Sequence, residues 1–103
     1  MDKGSVLNII AEFKEILKQK GIEINKLVLY GSYAKLTQRE GSDIDLIVVS
    51  DSFKNMDYWE RIDIVSEAIS ELFQPIEAIC ITLEEWDNKQ SFVYEYAKNG
   101  ELV

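Results

Sequence analysis

Two aspartates, separated by a single residue, lie at the start of an apolar run. Asp43 and Asp45 open the segment DIDLIVVS at 43–50. Successive side chains of a strand leave opposite faces, so both carboxylates share one face while Ile44 points the other way. Two like charges this close destabilise each other unless a cation lies between them. Carboxylate oxygens suit Mg²⁺, which also takes ligands from substrate phosphates, so the pair predicts a metal site; a solvated strand end is the structural alternative.

A second group of candidate residues follows the apolar segment KLVLY at 26–30. Gly31 lets backbone amides turn outward, and the start of a helical turn adds partial positive charge, which together favour phosphate. The hydroxyl of Ser32 can donate to a phosphate oxygen, and Lys35 reaches the same side of the turn. Gly-Ser alone is an ordinary turn. Beside the two aspartates it predicts a site for a nucleotide and a metal ion.

The hydrophobic pattern predicts the elements that must position these residues. Helices are expected over 5–20, over 57–73, from Thr82 and over 91–99; strands are expected over 26–30, 43–50 and 76–81. A brief helical turn is expected through 34–35, and a polar loop over 37–42. This order predicts an α/β or α+β domain with a small sheet flanked by helices. The helix between the last two strands allows a parallel pair, whereas the first two could be antiparallel, and the sequence leaves this open.

Length and composition restrict the class of protein. The 103 residues suit one domain over 1–103, and the net charge of −8 argues against binding a nucleic-acid backbone. With no histidine and one cysteine, Cys80, serine–histidine catalysis, disulfides and a zinc cluster are excluded. Cys80 lies in an apolar run and is expected to be buried and inert. Neither a signal peptide nor a membrane-spanning segment is expected, so the predicted location is cytoplasmic.

The combined motif resembles the signature of the DNA polymerase beta-type nucleotidyltransferase superfamily, and its smallest members, the minimal nucleotidyltransferases, in particular. The matching residues are Gly31, Ser32, Ala34, Lys35, Ser42, Asp43, Asp45 and Leu46. The resemblance implies the nucleotidyltransferase fold over essentially the whole chain. It also implies that Asp43 and Asp45 are catalytic and bind one or two Mg²⁺ ions. ATP or another nucleoside triphosphate would be the substrate, held by Gly31, Ser32, Lys35 and Ser42.

The family takes a third carboxylate from a later strand, and the candidate is Glu77 in PIEAICIT. A bare carboxylate is costly on an apolar strand, which favours a catalytic and metal-binding role; a solvated residue at a strand start is the alternative. Three positions depart from the family pattern. Glu77 replaces the commoner Asp, Leu36 stands where glycine is usual, and Lys35 replaces Arg and loses its bidentate fork.

The resemblance implies transfer of a nucleoside monophosphate, AMP in the leading hypothesis, to a hydroxyl group. Similar minimal proteins pair with a small helical HEPN-type toxin and act as antitoxins by adding AMP to its tyrosines. Two alternatives remain open. One is a non-catalytic module that binds a nucleotide or a partner; the other is an enzyme for a small molecule such as an aminoglycoside, with a second chain completing the cleft. A homo- or hetero-oligomer is compatible with all three.

Overall fold

The chain folds into a four-stranded mixed sheet with helices on both faces. A computed structural model describes residues 2–31, 33–34, 43–88 and 92–103. Within those ranges no helix is both long and apolar enough to cross a lipid bilayer. The elements are α1 (Lys3–Gln19), β1 (Lys26–Tyr30), β2 (Ile44–Val49), a 3-10 helix (Asp51–Asn55), α2 (Tyr58–Leu72), β3 (Ile76–Ile81), α3 (Leu83–Asp87), α4 (Phe92–Ala97) and β4 (Glu101–Leu102).

The sheet has the strand order β3-β2-β1-β4. Strand β1 is antiparallel to both β2 and β4, and β2 is parallel to β3. Both pairings that the sequence left open are thereby settled, and the mixed α/β prediction is confirmed. The end of β1 and the starts of β2 and β3 meet at one end of the sheet. Every described residue of the predicted motif lies at or beside that end.

The larger part of the core lies between one sheet face and helices α1 and α2. The apolar face of α1 contributes Val6, Ile10, Phe13 and Leu17, and α2 contributes Val65 and Ala68. These side chains pack with Leu27, Leu29, Leu46, Val48 and Cys80 from the sheet. Cys80 is buried as predicted, and burial raises the pKa of its thiol to about 12.

The opposite sheet face carries a smaller apolar cluster beneath α3 and α4. Its buried members are Val28, Ile47, Val49, Ile81 and Val93, with Trp86 and Ala97 packed against them. Asp45 and Glu77 belong to the same alternating set as Ile47 and Ile79, so their side chains leave this face of the sheet. The catalytic candidates therefore lie at the end of the smaller core.

The helix boundaries depend on side-chain caps. Helix α1 begins at Lys3 rather than at Ser5, because Asp2 is its N-cap and accepts a hydrogen bond from the Ser5 N–H at 2.7 Å. At the start of α3, Thr82 and Glu85 form the capping box that the sequence indicates. The 3-10 helix and strand β4 have no counterpart among the elements predicted from the sequence.

Candidate functional site

Three neighbouring strands place Tyr30, Asp45 and Glu77 in one row. Tyr30 of β1 is the partner of Asp45 of β2, and Asp45 is the partner of Glu77 of β3. In an aligned row, side chains project from the same face and lie within reach of each other. The strand register therefore joins Glu77 to the two-aspartate motif, from which it is separated by more than thirty residues of sequence.

Asp43 adds a second carboxylate from the same strand end. It precedes β2 by one residue and is exposed, whereas Asp45 is partly buried. Because Asp43 lies just before the strand, its place on the same side as Asp45 stays a prediction from their spacing. Both Asp43 and Glu77 contribute negative potential at Asp45.

The carboxyl group of Asp45 is strongly perturbed. Burial raises its pKa, and the negative charges of Glu77 and Asp43 and a hydrogen bond with Glu77 raise it further, to about 6. This side chain therefore holds a proton more readily than an ordinary aspartate. Carboxylates that repel each other in this way are the arrangement that a divalent cation would relieve.

The described residues supply part of a Mg²⁺ site. Across them, no group of three or more Asp, Glu, His or Cys side chains is arranged to hold a metal ion. Asp45 and Glu77 are close enough to share a hydrogen bond, and Asp43 is near enough to raise the pKa of Asp45. Mg²⁺ binds through one or two carboxylates, several waters and substrate phosphates, so the residues present fit the ion.

Gly31 turns the chain away from β1 directly beside Asp45. Its φ is +73°, the left-handed region that side chains other than glycine adopt at a cost. A Cβ at this position would overlap the Oδ2 atom of Asp45 and lie 3.2 Å from its Cγ. The glycine is thus required by its own backbone conformation and by the space that the carboxylate occupies.

The remaining sequence candidates cannot be placed. Ser32, Lys35 and Ser42 lie outside the described residues, as do Leu36 and the loop predicted over 37–42. Their predicted roles in phosphate binding stay predictions. The structure brings together Gly31, Asp43, Asp45 and Glu77.

One tyrosine adjoins the carboxylates, and a second packs against its ring, which sequence reasoning missed. The ring of Tyr30 lies 5.5 Å from that of Tyr96 of α4, centroid to centroid. Burial, followed by the charges of Asp45 and Glu77, raises the pKa of Tyr30 to about 12, so its hydroxyl stays protonated as a donor. The signal was present in the sequence, because Tyr30 immediately precedes Gly31 and an antiparallel partner places it opposite Asp45. Tyr33, the aromatic residue within the motif loop, is only 2% exposed and packs in the core.

Comparison with known proteins identifies a family and a fold for this chain. A protein family described as nucleotidyltransferase domain matches residues 10–99. The fold is similar to that of a candidate nucleotidyltransferase from Sulfolobus solfataricus, with a TM-score of 0.63 and 22% identity over 99% of this chain and 87% of that one. No curated protein matches the chain.

Two further solved structures with this fold are toxin–antitoxin systems. One is a toxin–antitoxin crystallised with AMP-PNP, with a TM-score of 0.61 and 22% identity over 92% of this chain and 69% of that one. The other is a mutant of the toxin–antitoxin pair MntA–HpeT, with a TM-score of 0.58 and 17% identity over 99% of this chain and 72% of that one. At these identities the likeness establishes the fold.

Proposed function

Because the chain belongs to the nucleotidyltransferase domain family, we propose that it transfers AMP from ATP to a hydroxyl group of a partner protein. The observation that carries the proposal is the row formed by Asp45 and Glu77, with Asp43 and Gly31 beside it. The AMP-PNP named with one structural neighbour favours an adenine nucleotide. The two toxin–antitoxin neighbours favour a protein partner. We assign that partner to the HEPN type, with a tyrosine as the acceptor.

In the proposed reaction, the acceptor oxygen attacks the α-phosphorus of ATP. The bond from that phosphorus to the bridging oxygen breaks, pyrophosphate leaves, and the hydroxyl proton passes to a carboxylate or to water. Asp43, Asp45 and Glu77 would hold Mg²⁺, which when bound neutralises the triphosphate and lowers the pKa of the hydroxyl. Amides at Gly31 and Ser32 would bind phosphate oxygens, together with Lys35 and Ser42.

A second candidate is a module that binds nucleotide or partner without transfer. It is favoured by the finding that, in the described part of the chain, three carboxylates do not converge on one point. The sequence departures at Leu36 and Glu77 favour it as well. The two candidates differ in whether a labelled nucleotide becomes covalently attached.

A label-transfer assay tests the proposal. The purified protein is incubated with Mg²⁺ and ATP labelled at the α-phosphate in a lysate of its source cell. We expect a protein band that is labelled from α-labelled ATP only when the purified protein is added, and we do not expect the added protein to produce that band from γ-labelled ATP. Asp43→Asn and Asp45→Asn should abolish the band, whereas Asp51→Asn, the same change at an exposed aspartate of the 3-10 helix, should keep it.

Two outcomes would count against transfer. A band that survives Asp45→Asn would exclude Asp45 from the reaction. Absence of any label from the wild-type protein, together with calorimetric binding of ATP, would favour the binding module.

A further inference from the structure

Among the strands that the structure describes, none pairs with the outer edge of β3. Strand β3 lies at one edge of the sheet. The backbone groups of its odd-numbered residues point towards β2; for example, the Ile81 carbonyl accepts a hydrogen bond from the Ser50 N–H at 2.9 Å. Because backbone groups alternate along a strand, those of Ile76, Ala78 and Cys80 point away from the sheet. An edge of this kind is a template for another strand.

Two of the outward backbone groups already have partners. The Ile76 N–H donates to the Gln74 carbonyl at 2.9 Å, and the Arg61 guanidinium donates to the Cys80 carbonyl at 3.4 Å. Neither backbone group of Ala78 forms a hydrogen bond within the described part of the chain. The middle of the edge is therefore available to an incoming backbone.

A groove follows this edge and opens at the candidate site. Its volume is about 360 Å³, and its walls include Ile62, Ser66 and Ile69 of α2 opposite the residues of β3. Tyr30 and Glu77 also line it. A segment lying in the groove would therefore pass directly beside the carboxylate row.

Exposed aromatic residues extend the α2 wall at both of its ends. Trp59 precedes Ile62 by three residues, so helical periodicity places it on the side of α2 that faces the groove. Phe73 is the residue that ends the same helix. Trp59 is 72% exposed and Phe73 is 91% exposed. Large aromatic side chains left this open are typical of a surface that a partner covers.

The backbone at Phe73 strengthens this interpretation. Phe73 caps α2 with φ +52° and ψ +39°, the left-handed conformation that glycine usually supplies at a helix end. A residue with a Cβ is strained in this conformation. The Phe73 N–H donates to the Ser70 carbonyl at 3.4 Å, but the ring itself is almost wholly exposed in the free chain. A partner that covers the ring would supply a compensating contact.

The charge around the groove indicates which kind of segment would bind there. Asp63, one turn before Ser66, and Glu77 are exposed acids beside the groove, and Arg61 at its other end is paired with Glu85 at 2.7 Å. The net charge of the chain is −8. A second copy of this chain would set acid against acid, whereas a basic segment would be attracted.

We propose that the open edge of β3 and the aromatic wall of α2 bind a basic segment of a partner polypeptide in an extended conformation. The segment adds a fifth strand beside Ala78 and carries its acceptor hydroxyl to Asp45 and Glu77. The delivery of a hydroxyl rests on the proposed function, but the docking itself does not.

The test uses displayed peptides of about nine residues, long enough to pair with β3, that alternate lysine with variable residues around a central tyrosine. We expect selection on the wild-type protein to enrich binders, and hydrogen exchange to show new protection at the Ala78 amide. Ala78→Pro removes the outward N–H without breaking a bond to β2, and should weaken binding about tenfold. Ala78→Val keeps the N–H and is the matched control.

Several results would overturn the proposal. The proposal fails if no peptide is enriched, or if Ala78→Pro binds as well as the wild type. It also fails if the protected amides lie away from β3, or if the wild-type protein sediments as a dimer through this edge. Binding is measured without nucleotide, and Asp51→Asn, at an exposed aspartate of the 3-10 helix, should bind the selected peptide unchanged. A peptide that binds as expected but receives no AMP would overturn the proposed transfer and leave the docking intact.

Discussion

Asp45 and Glu77 are register partners on two neighbouring parallel strands, β2 and β3. Their negative charges repel, and the pKa of Asp45 is raised to about 6 as a result of burial, this repulsion and the nearby Asp43. The pair is thus a local source of instability in the metal-free protein. The effect of this repulsion on the free energy of unfolding can therefore be measured without knowing the substrate.

The stability of the metal-free protein should fall as pH rises from about 4 to above 6. Asp45 has a folded-state pKa of about 6 against an ordinary value of 3.8, so in this window the folded protein binds more of a proton than the unfolded chain does. The stabilisation is complete below 3.8 and is lost as pH rises through 6. Urea unfolding at several pH values in EDTA measures it.

Asp45→Asn is the control for that titration. Because Asn does not ionise, the difference in unfolding free energy between the wild type and the variant isolates Asp45 from all other acids. As pH rises through this range, the variant should become more stable relative to the wild type. A difference that stays constant between about pH 4 and pH 7 would contradict the raised pKa.

Glu77→Gln should reduce nucleotidyl transfer about a hundredfold, the usual range for loss of a catalytic acid or base. The same change removes a negative charge beside Asp45, so the pKa of Asp45 should fall towards its ordinary value. Label transfer and NMR titration of Asp45 check the two effects. Glu84→Gln, at an exposed glutamate of α3, provides the matched control. Wild-type transfer by Glu77→Gln would remove Glu77 from the site.

Gly31→Ala and Gly21→Ala should differ in stability although both glycines have positive φ. At Gly21, with φ +86°, nothing lies within 4 Å of an added Cβ, so only the backbone cost of about 1–2 kcal/mol applies. At Gly31 the Cβ also overlaps Asp45, and overpacking costs roughly a further 1–3 kcal/mol. Chemical unfolding of the two variants measures the difference, and equal losses would contradict the contact.

Cys80 should resist thiol reagents in the native state. Its side chain is buried and the pKa of its thiol is about 12, so little thiolate exists at neutral pH. Labelling by a disulfide reagent should therefore follow unfolding, and should accelerate in denaturant. Rapid labelling of the folded protein at neutral pH would be inconsistent with this packing.

The strands that shape the site are predictable because each carries a clear apolar pattern. The predictions over 26–30 and 76–81 match β1 and β3, and the spacing of Asp43 and Asp45 indicates their common side directly. The predicted start of helix α1 at Ser5 is two residues late, because the cap at Asp2 lies outside the apolar pattern on which that boundary depends.

Other features depend on pairing between distant segments, so no local pattern in the sequence predicts them. Strand β4 is two residues long and exists through its pairing with Val28 and Leu29. The alignment of Glu77 with Asp45 depends on a strand register, which composition and periodicity do not specify. The strand register also makes Tyr30 the partner of Asp45.

The contact between Gly31 and Asp45 also constrains how such a protein can diverge. A side chain at position 31 would collide with the carboxylate of Asp45 in its present position, so the contact favours glycine while that carboxylate remains. A lineage that lost Asp45 would be free of this contact, and position 31 could then change within the limits of its backbone conformation. The order of these two changes would record, in related sequences, when catalysis was given up.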